Sequence, residues 1–173
     1  MNTKKQAQRF FKVGNLVAIS RNGFFSKLIR LVTKETYSHV AVIVQAGSDP
    51  YVVEAIHNGV CLTPLRKLLP FYIIETKIKL TPKIRDWIED HLHQPYSIFD
   101  CILAGLHLKT RNNKRWQCAE LANEIYKQAC INLNLTSPTP GNIVKALLEK
   151  RGGYSCFFTK KGFKNDINFR DGL

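Results

Sequence analysis

The hydrophobic pattern changes period partway along the chain. Leu16-Val17-Ala18-Ile19, His39 to Gln45 and Tyr51 to Ile56 are short apolar runs rich in β-branched residues, which read as strands. Val60 to Thr63 follows Ile56 after His57-Asn58-Gly59, and Asn-Gly suits the positive-φ geometry of a two-residue turn, so these runs form a β-hairpin. Phe71 to Leu80 reads as a further strand. Between the first two strands, Phe24, Phe25, Leu28, Ile29 and Val32 fall at helical spacing and predict a short amphipathic crossover helix.

Beyond residue 80 the period becomes helical. Thr81-Pro82 has the form of an N-cap followed by proline in the first turn, opening a helix to about His93 that Pro95 stops. Residues 97–107 predict another short helix. Cys118, Leu121, Ala122, Ile125, Tyr126 and Ala129 lie on one helical face. Thr139-Pro140 repeats the cap signal before a last helix to about Lys150, and the basic tail from Gly152 has room for one terminal strand. Strands first and helices after predict an α+β fold with a mostly antiparallel sheet. No repeat, low-complexity tract or linker interrupts residues 1–173, so a single domain is expected.

Composition narrows the class. Hydrophobic residues at 45% and charged residues at 23% describe a globular chain. The net charge of +13 favours polyanionic surroundings, such as an acidic cell-wall polymer or an anionic membrane surface. The basic residues form no aromatic-interleaved stripe, and there is no helix-turn-helix or RNA-recognition signature, so nucleic acid is not the expected partner. No apolar stretch is long enough to cross a bilayer. Lys12, Gly14 and Asn15 break the run a signal peptide needs, which predicts cytoplasmic synthesis. A basic protein without such a signal fits a phage-encoded product.

Five cysteines, an odd number without CxxC spacing, argue against a disulfide scaffold and a structural zinc site. Cys118 opens its helix behind Lys114 and Arg115. Both the helix terminus and those cations favour a thiolate, the nucleophilic form; the competing reading is a small residue on a buried helix face. His39, at the mouth of an apolar strand, suits a general base or a strand-end cap. Glu54 lies inside Val52-Val53-Glu54-Ala55-Ile56, where a buried carboxylate needs a partner unless that face meets water. His57 and His107 read as surface residues, and His91 and His93 face different directions. Cys61, Cys101, Cys130 and Cys156 read as core, and Asp100 as a helix cap. There is no phosphate loop, GxSxG or HExxH.

The ordered set Gly14-Asn15-Leu16-Val17, Ser38-His39-Val40-Ala41-Val42, Val52-Val53-Glu54-Ala55, Gly59-Val60, Pro64-Leu65, Pro95-Tyr96-Ser97-Ile98-Phe99, Cys118-Ala119-Glu120-Leu121 and Thr139-Pro140 resembles a known family. It is similar to the circularly permuted branch of the NlpC/P60 papain-like hydrolases, the YiiX/YebB-like group, which shares its permutation with lecithin:retinol acyltransferase-like proteins. The resemblance spans residues 14 to about 145. It implies a permuted papain-like fold, with the nucleophile at a helix N-terminus behind the sheet. It also implies a cysteine peptidase or amidase with Cys118 as nucleophile, His39 as base and Glu54 as the orienting group. No metal or organic cofactor is implied. Tyr37 and Tyr96 are candidate substrate-binding residues. Peptidoglycan-type peptides are the first substrate class; a lipid ester or amide, hydrolysed or used in acyl transfer, is the alternative. A third reading is a catalytically silent polyanion-binding domain. Asn15, Ala119 and Ser97 stand where the family commonly has Asp, Ser and Asp.

Overall fold

A computed structural model of the chain describes residues 10–20, 27, 30–31, 34–76, 78–97, 115–151 and 155–159. Among the described residues six strands form one antiparallel sheet: β1 (Leu16–Ile19), β2 (His39–Gln45), β3 (Tyr51–Ile56), β4 (Gly59–Pro64), β5 (Phe71–Ile74) and β6 (Ser155–Phe158). Their order across the sheet is β4-β3-β2-β1-β5-β6. Three α-helices are described: α1 (Pro82–Asp90), α2 (Cys118–Gln128) and α3 (Pro140–Arg151).

Alternation along the strands builds two cores. Leu16, Ala18, Val40, Val42, Val53 and Ala55 join Leu121, Ala122, Ile125 and Ile143 in the core beneath the helices. Val17, Ile19, Ala41, Ile43 and Val52 pack instead with Phe10, Phe11, Leu65 and Phe158 on the other face. Helix α2 lies over β2 and β3, and α3 over β1 and β5. Both sheet faces are therefore dry, which explains why the strands read as continuous apolar runs.

Several expected boundaries move. The hairpin forms, but Ile56 pairs with Gly59, so His57 and Asn58 are the loop residues. Gly59 takes the positive φ of 102°, and a Cβ there would come within 2.6 Å of the Gln94 carbonyl oxygen. The strand expected over 71–80 ends at Ile74, because the buried Thr76 N–H donates to Asn15 Oδ1 at 3.0 Å instead of to a ladder. Helix α1 ends at Asp90, short of His93, which adopts a positive φ of 66°. Cys130 is not core: it is exposed, at a positive φ of 59°, just past the end of α2. It occupies the left-handed position that commonly terminates a helix. Cys61 is half-buried on β4, whereas Cys156 is buried as expected.

The cap of α3 is built from afar. Thr139 and Asn142 exchange bonds, Thr139 N to Asn142 Oδ1 at 2.7 Å and Asn142 N to Thr139 Oγ1 at 3.3 Å. Glu35 adds its carboxylate, accepting from Gly141 N at 2.7 Å and from the Thr139 hydroxyl. A negative group thus sits where the helix dipole is positive. Most of the crossover helix expected over residues 24–32, all of Cys101 and Asp100, His107, and the helix expected over 97–107 beyond Ser97 lie outside the described residues.

Candidate active site

His39 begins β2 and pairs with Ile19 of β1. By alternation with Val40 and Val42 it starts on the sheet face away from α2, and Glu54 shares that face. The two meet diagonally across β2 and β3, with His39 Nε2 2.6 Å from Glu54 Oε2. Glu54 is 3% exposed, so the carboxylate inside its apolar strand faces a partner rather than water. Its cross-strand neighbour is Cys61 of β4.

Cys118 comes to this pair from the other side. The ladder between β2 and β3 runs from Gln45↔Tyr51 to Val42↔Val53 and is not continued to His39. Where the strands part, the Cys118 sulfur hydrogen-bonds the His39 ring and accepts from the backbone N–H of Val40 and of Ala119. Glu54 occupies Nε2, and Nδ1 is the remaining ring nitrogen. Cys118 is 3% exposed.

The electrostatics are those of a buried ion pair. Burial works against a charged His39 ring, but the Cys118 thiolate and then Glu54 outweigh it and raise the imidazole from 6.5 to about 9. Burial likewise opposes the Cys118 thiolate; the His39 charge and the Val40 and Ala119 N–H groups overcome this and lower the thiol below 9.0. The expected contribution of Arg115 is replaced: that side chain is exposed, and His39 with the two backbone donors does the lowering. Lys114 lies outside the described residues.

The approach to Cys118 is held by a strap. Trp116 N donates to Pro95 O at 2.8 Å and Ser97 N to Trp116 O at 3.0 Å, forming a parallel bridge between Tyr96 and Trp116. Trp116 Nε1 donates to Gln94 Oε1 at 2.6 Å, and Val60 N to Gln94 O at 2.9 Å ties the strap to the start of β4. Gln117 follows at the N-cap of α2, with extended backbone and no side-chain cap bond. Tyr96 is thus placed in the strap.

Tyr37 lies two residues before His39, ahead of β2. Its ring lies edge-on to Tyr72 at 5.6 Å, and burial followed by the nearby Tyr72 raises its phenol pKa. It lines an open cavity of about 670 Å³ together with Glu35, Asn142, Lys145 and Leu148. His57 is exposed in the hairpin loop, and His91 stacks on Trp87 at 3.9 Å. Among the described residues no group of three or more His, Cys, Asp or Glu side chains is placed to hold a metal ion, and no helix is long and apolar enough to cross a membrane.

Sequence reasoning missed the Val40 N–H, Glu35 and Gln117. Only Gln117 left a signal: a glutamine stands where Ser, Thr, Asp or Asn would cap best.

No family model and no curated protein matches the chain. Among solved structures, the metalloprotein YiiX of Escherichia coli O157:H7 (DUF1105) is similar, with a TM-score of 0.55 and 23% identity over 72% of this chain and 68% of that one. The chain therefore has a YiiX-like α+β fold.

Proposed function

We propose that this chain is a cysteine hydrolase of the permuted papain-like kind, with Cys118 as nucleophile, His39 as acid and base, and Glu54 as the group that fixes the ring. The carrying observation is the arrangement of Cys118, His39 and Glu54, three largely buried groups joined through one imidazole. The order His39, Glu54, Cys118 along the chain is the order a permutation gives, and the YiiX-like fold is compatible with it.

In this reading the Cys118 thiolate attacks an acyl carbon. The C–S bond forms and the carbonyl π pair moves onto oxygen. Collapse breaks the bond to the leaving group, which takes the proton from His39 and departs as an amine or alcohol. Neutral His39 then accepts a proton from water as it adds to the thioester. A second collapse releases the acid and restores the thiolate–imidazolium pair. Glu54 steadies the ring charge throughout. The chain's own residues supply every proton position.

The substrate class we favour is an amide in a peptidoglycan-type peptide, with the net charge of +13 drawing the protein to an anionic wall. Wild type and Cys118→Ser would be incubated with stem peptides and with lipid esters and amides, and the intact protein mass followed. An acyl adduct on Cys118 from peptides supports the reading, and one from lipids reassigns the substrate. Absence of any adduct, with Cys118 no more reactive than Cys61, removes the hydrolase reading and leaves a polyanion-binding role.

A further inference from the structure

A tetrahedral oxyanion formed at Cys118 needs more than one donor. The Cys118 N–H, in the first turn of α2, has no acceptor within the helix and supplies one. The side chain next to it carries two unexplained costs. Gln117 is 2% exposed, yet among the described residues its amide Nε2 has no hydrogen-bond partner. Native structures rarely leave a buried N–H group unpaired without a reason. Gln117 also holds the N-cap of α2 without capping it. A serine or aspartate there would satisfy a first-turn N–H and steady the helix.

Both costs fall on the residue that adjoins the nucleophile. Its backbone is fixed on the N-terminal side by the Trp116 bridge to Pro95 and Ser97. On the C-terminal side its carbonyl accepts from Leu121 N at 3.0 Å. The donor is therefore rigidly mounted and desolvated. These are the conditions under which a hydrogen bond to developing charge is strongest and requires least reorganisation at the moment of reaction. A shorter capping side chain would turn its oxygen back onto the first-turn amides, one of which, the Ala119 N–H, already serves the Cys118 sulfur.

We propose that the Gln117 side-chain amide is the second oxyanion donor, unpaired in the resting protein because its acceptor is the substrate oxygen after Cys118 has added to the carbonyl. This rests on the hydrolase reading and extends it. The oxygen that gains the π electron pair lies between Cys118 N–H and Gln117 Nε2–H, and loses both bonds when the carbonyl re-forms.

Two reagents separate this role from a structural one. Iodoacetamide alkylates a thiolate by displacement at a saturated carbon and creates no oxyanion. p-Nitrophenyl acetate acylates the same thiolate through one. Gln117→Leu keeps the bulk and removes the donors; Gln117→Glu keeps the shape and supplies an acceptor, and serves if the leucine variant does not fold. The expected result is a Cys118 alkylation rate and pH profile like wild type, with acylation slowed on the order of 10²-fold. The Tm of Gln117→Leu should be equal to or above wild type, since an unpaired buried polar group has been removed. Equal loss in both rates, or unchanged acylation, overturns the assignment. A wild-type Cys118 alkylated no faster than Cys61 overturns the hydrolase reading and this inference with it.

Discussion

Glu54 and His39 touch through Oε2 and Nε2, and Glu54 is not among the groups that act on the Cys118 thiol directly. The carboxylate therefore acts on Cys118 only by way of the ring. It sets the ring's orientation and supports its charge, and the ring's charge lowers the thiol.

Replacing Glu54 tests that relay. Glu54→Gln keeps a hydrogen-bonding group but removes the negative charge that helps hold His39 near 9. The His39 pKa falls, the Cys118 pKa rises, and the acid limb of Cys118 alkylation moves to higher pH. Hydrolysis should drop on the order of 10²–10⁴-fold, as expected when a base loses the group that fixes it. Stopped-flow alkylation across pH checks the shift; an unmoved acid limb would show that Glu54 has no influence on the pair.

The pH profile of the wild type follows from the same two groups. Cys118 is lowered, so the thiolate persists well below the ordinary thiol value of 9.0. His39 is raised to about 9, so the proton needed by the leaving group is retained up to that point. Hydrolysis should give a broad bell whose alkaline limb lies near 9, whereas alkylation, which needs no acid, should not fall there. An alkaline limb near 6.5, the ordinary histidine value, would contradict the ion pair.

Asn15, just ahead of β1, joins three segments. Its Nδ2 donates to Phe10 O at 2.9 Å, and its Oδ1 accepts from Thr76 N at 3.0 Å. Asn15→Ala leaves both backbone groups without this partner in a buried setting, and should cost on the order of 2–4 kcal/mol. Urea unfolding reads this as a lower midpoint at unchanged m-value. A loss within experimental error would place the support for residues 10 and 76 elsewhere.

Gly59 couples the hairpin to the strap. A Cβ at this position meets the Gln94 carbonyl oxygen at 2.6 Å, and the φ of 102° disfavours a side chain in any case. Gly59→Ala should destabilise the fold by about 1–3 kcal/mol. It should also slow Cys118 alkylation, because Gln94 holds Trp116 and Trp116 leads into α2. A variant that loses stability but keeps the wild-type alkylation rate would show that the strap does not position Cys118.

What the sequence revealed and what it concealed divide along a physical line. His39 and Glu54 stood out because a polar residue in an apolar strand has to be paired, and Cys118 because a thiol at a helix start lies in a positive field. The strands and the order of elements followed from period and turn chemistry. Partners distant in sequence were hidden. The strand from Phe71 ended early because Asn15, 61 positions away, takes the Thr76 N–H. Glu35 lay in a segment without periodicity and caps a helix more than 100 positions later. The Val40 N–H reaches sulfur only because two strands separate, and strand separation leaves no mark on composition. Cys130 was misread because its exposure depends on a left-handed backbone conformation at a helix end.

The parting of β2 from β3 has a consequence for the order of assembly. His39 and Glu54 lie 15 positions apart on adjoining strands, whereas Cys118 arrives 79 positions after His39. Every influence that lowers the thiol, other than its own helix turn, belongs to β2. A newly made or partly folded chain therefore carries five ordinary, sluggish thiols. In the hydrolase reading, one becomes reactive when α2 settles into the opening. On that reading reactivity is a product of folding, and a chain that misfolds never acquires it.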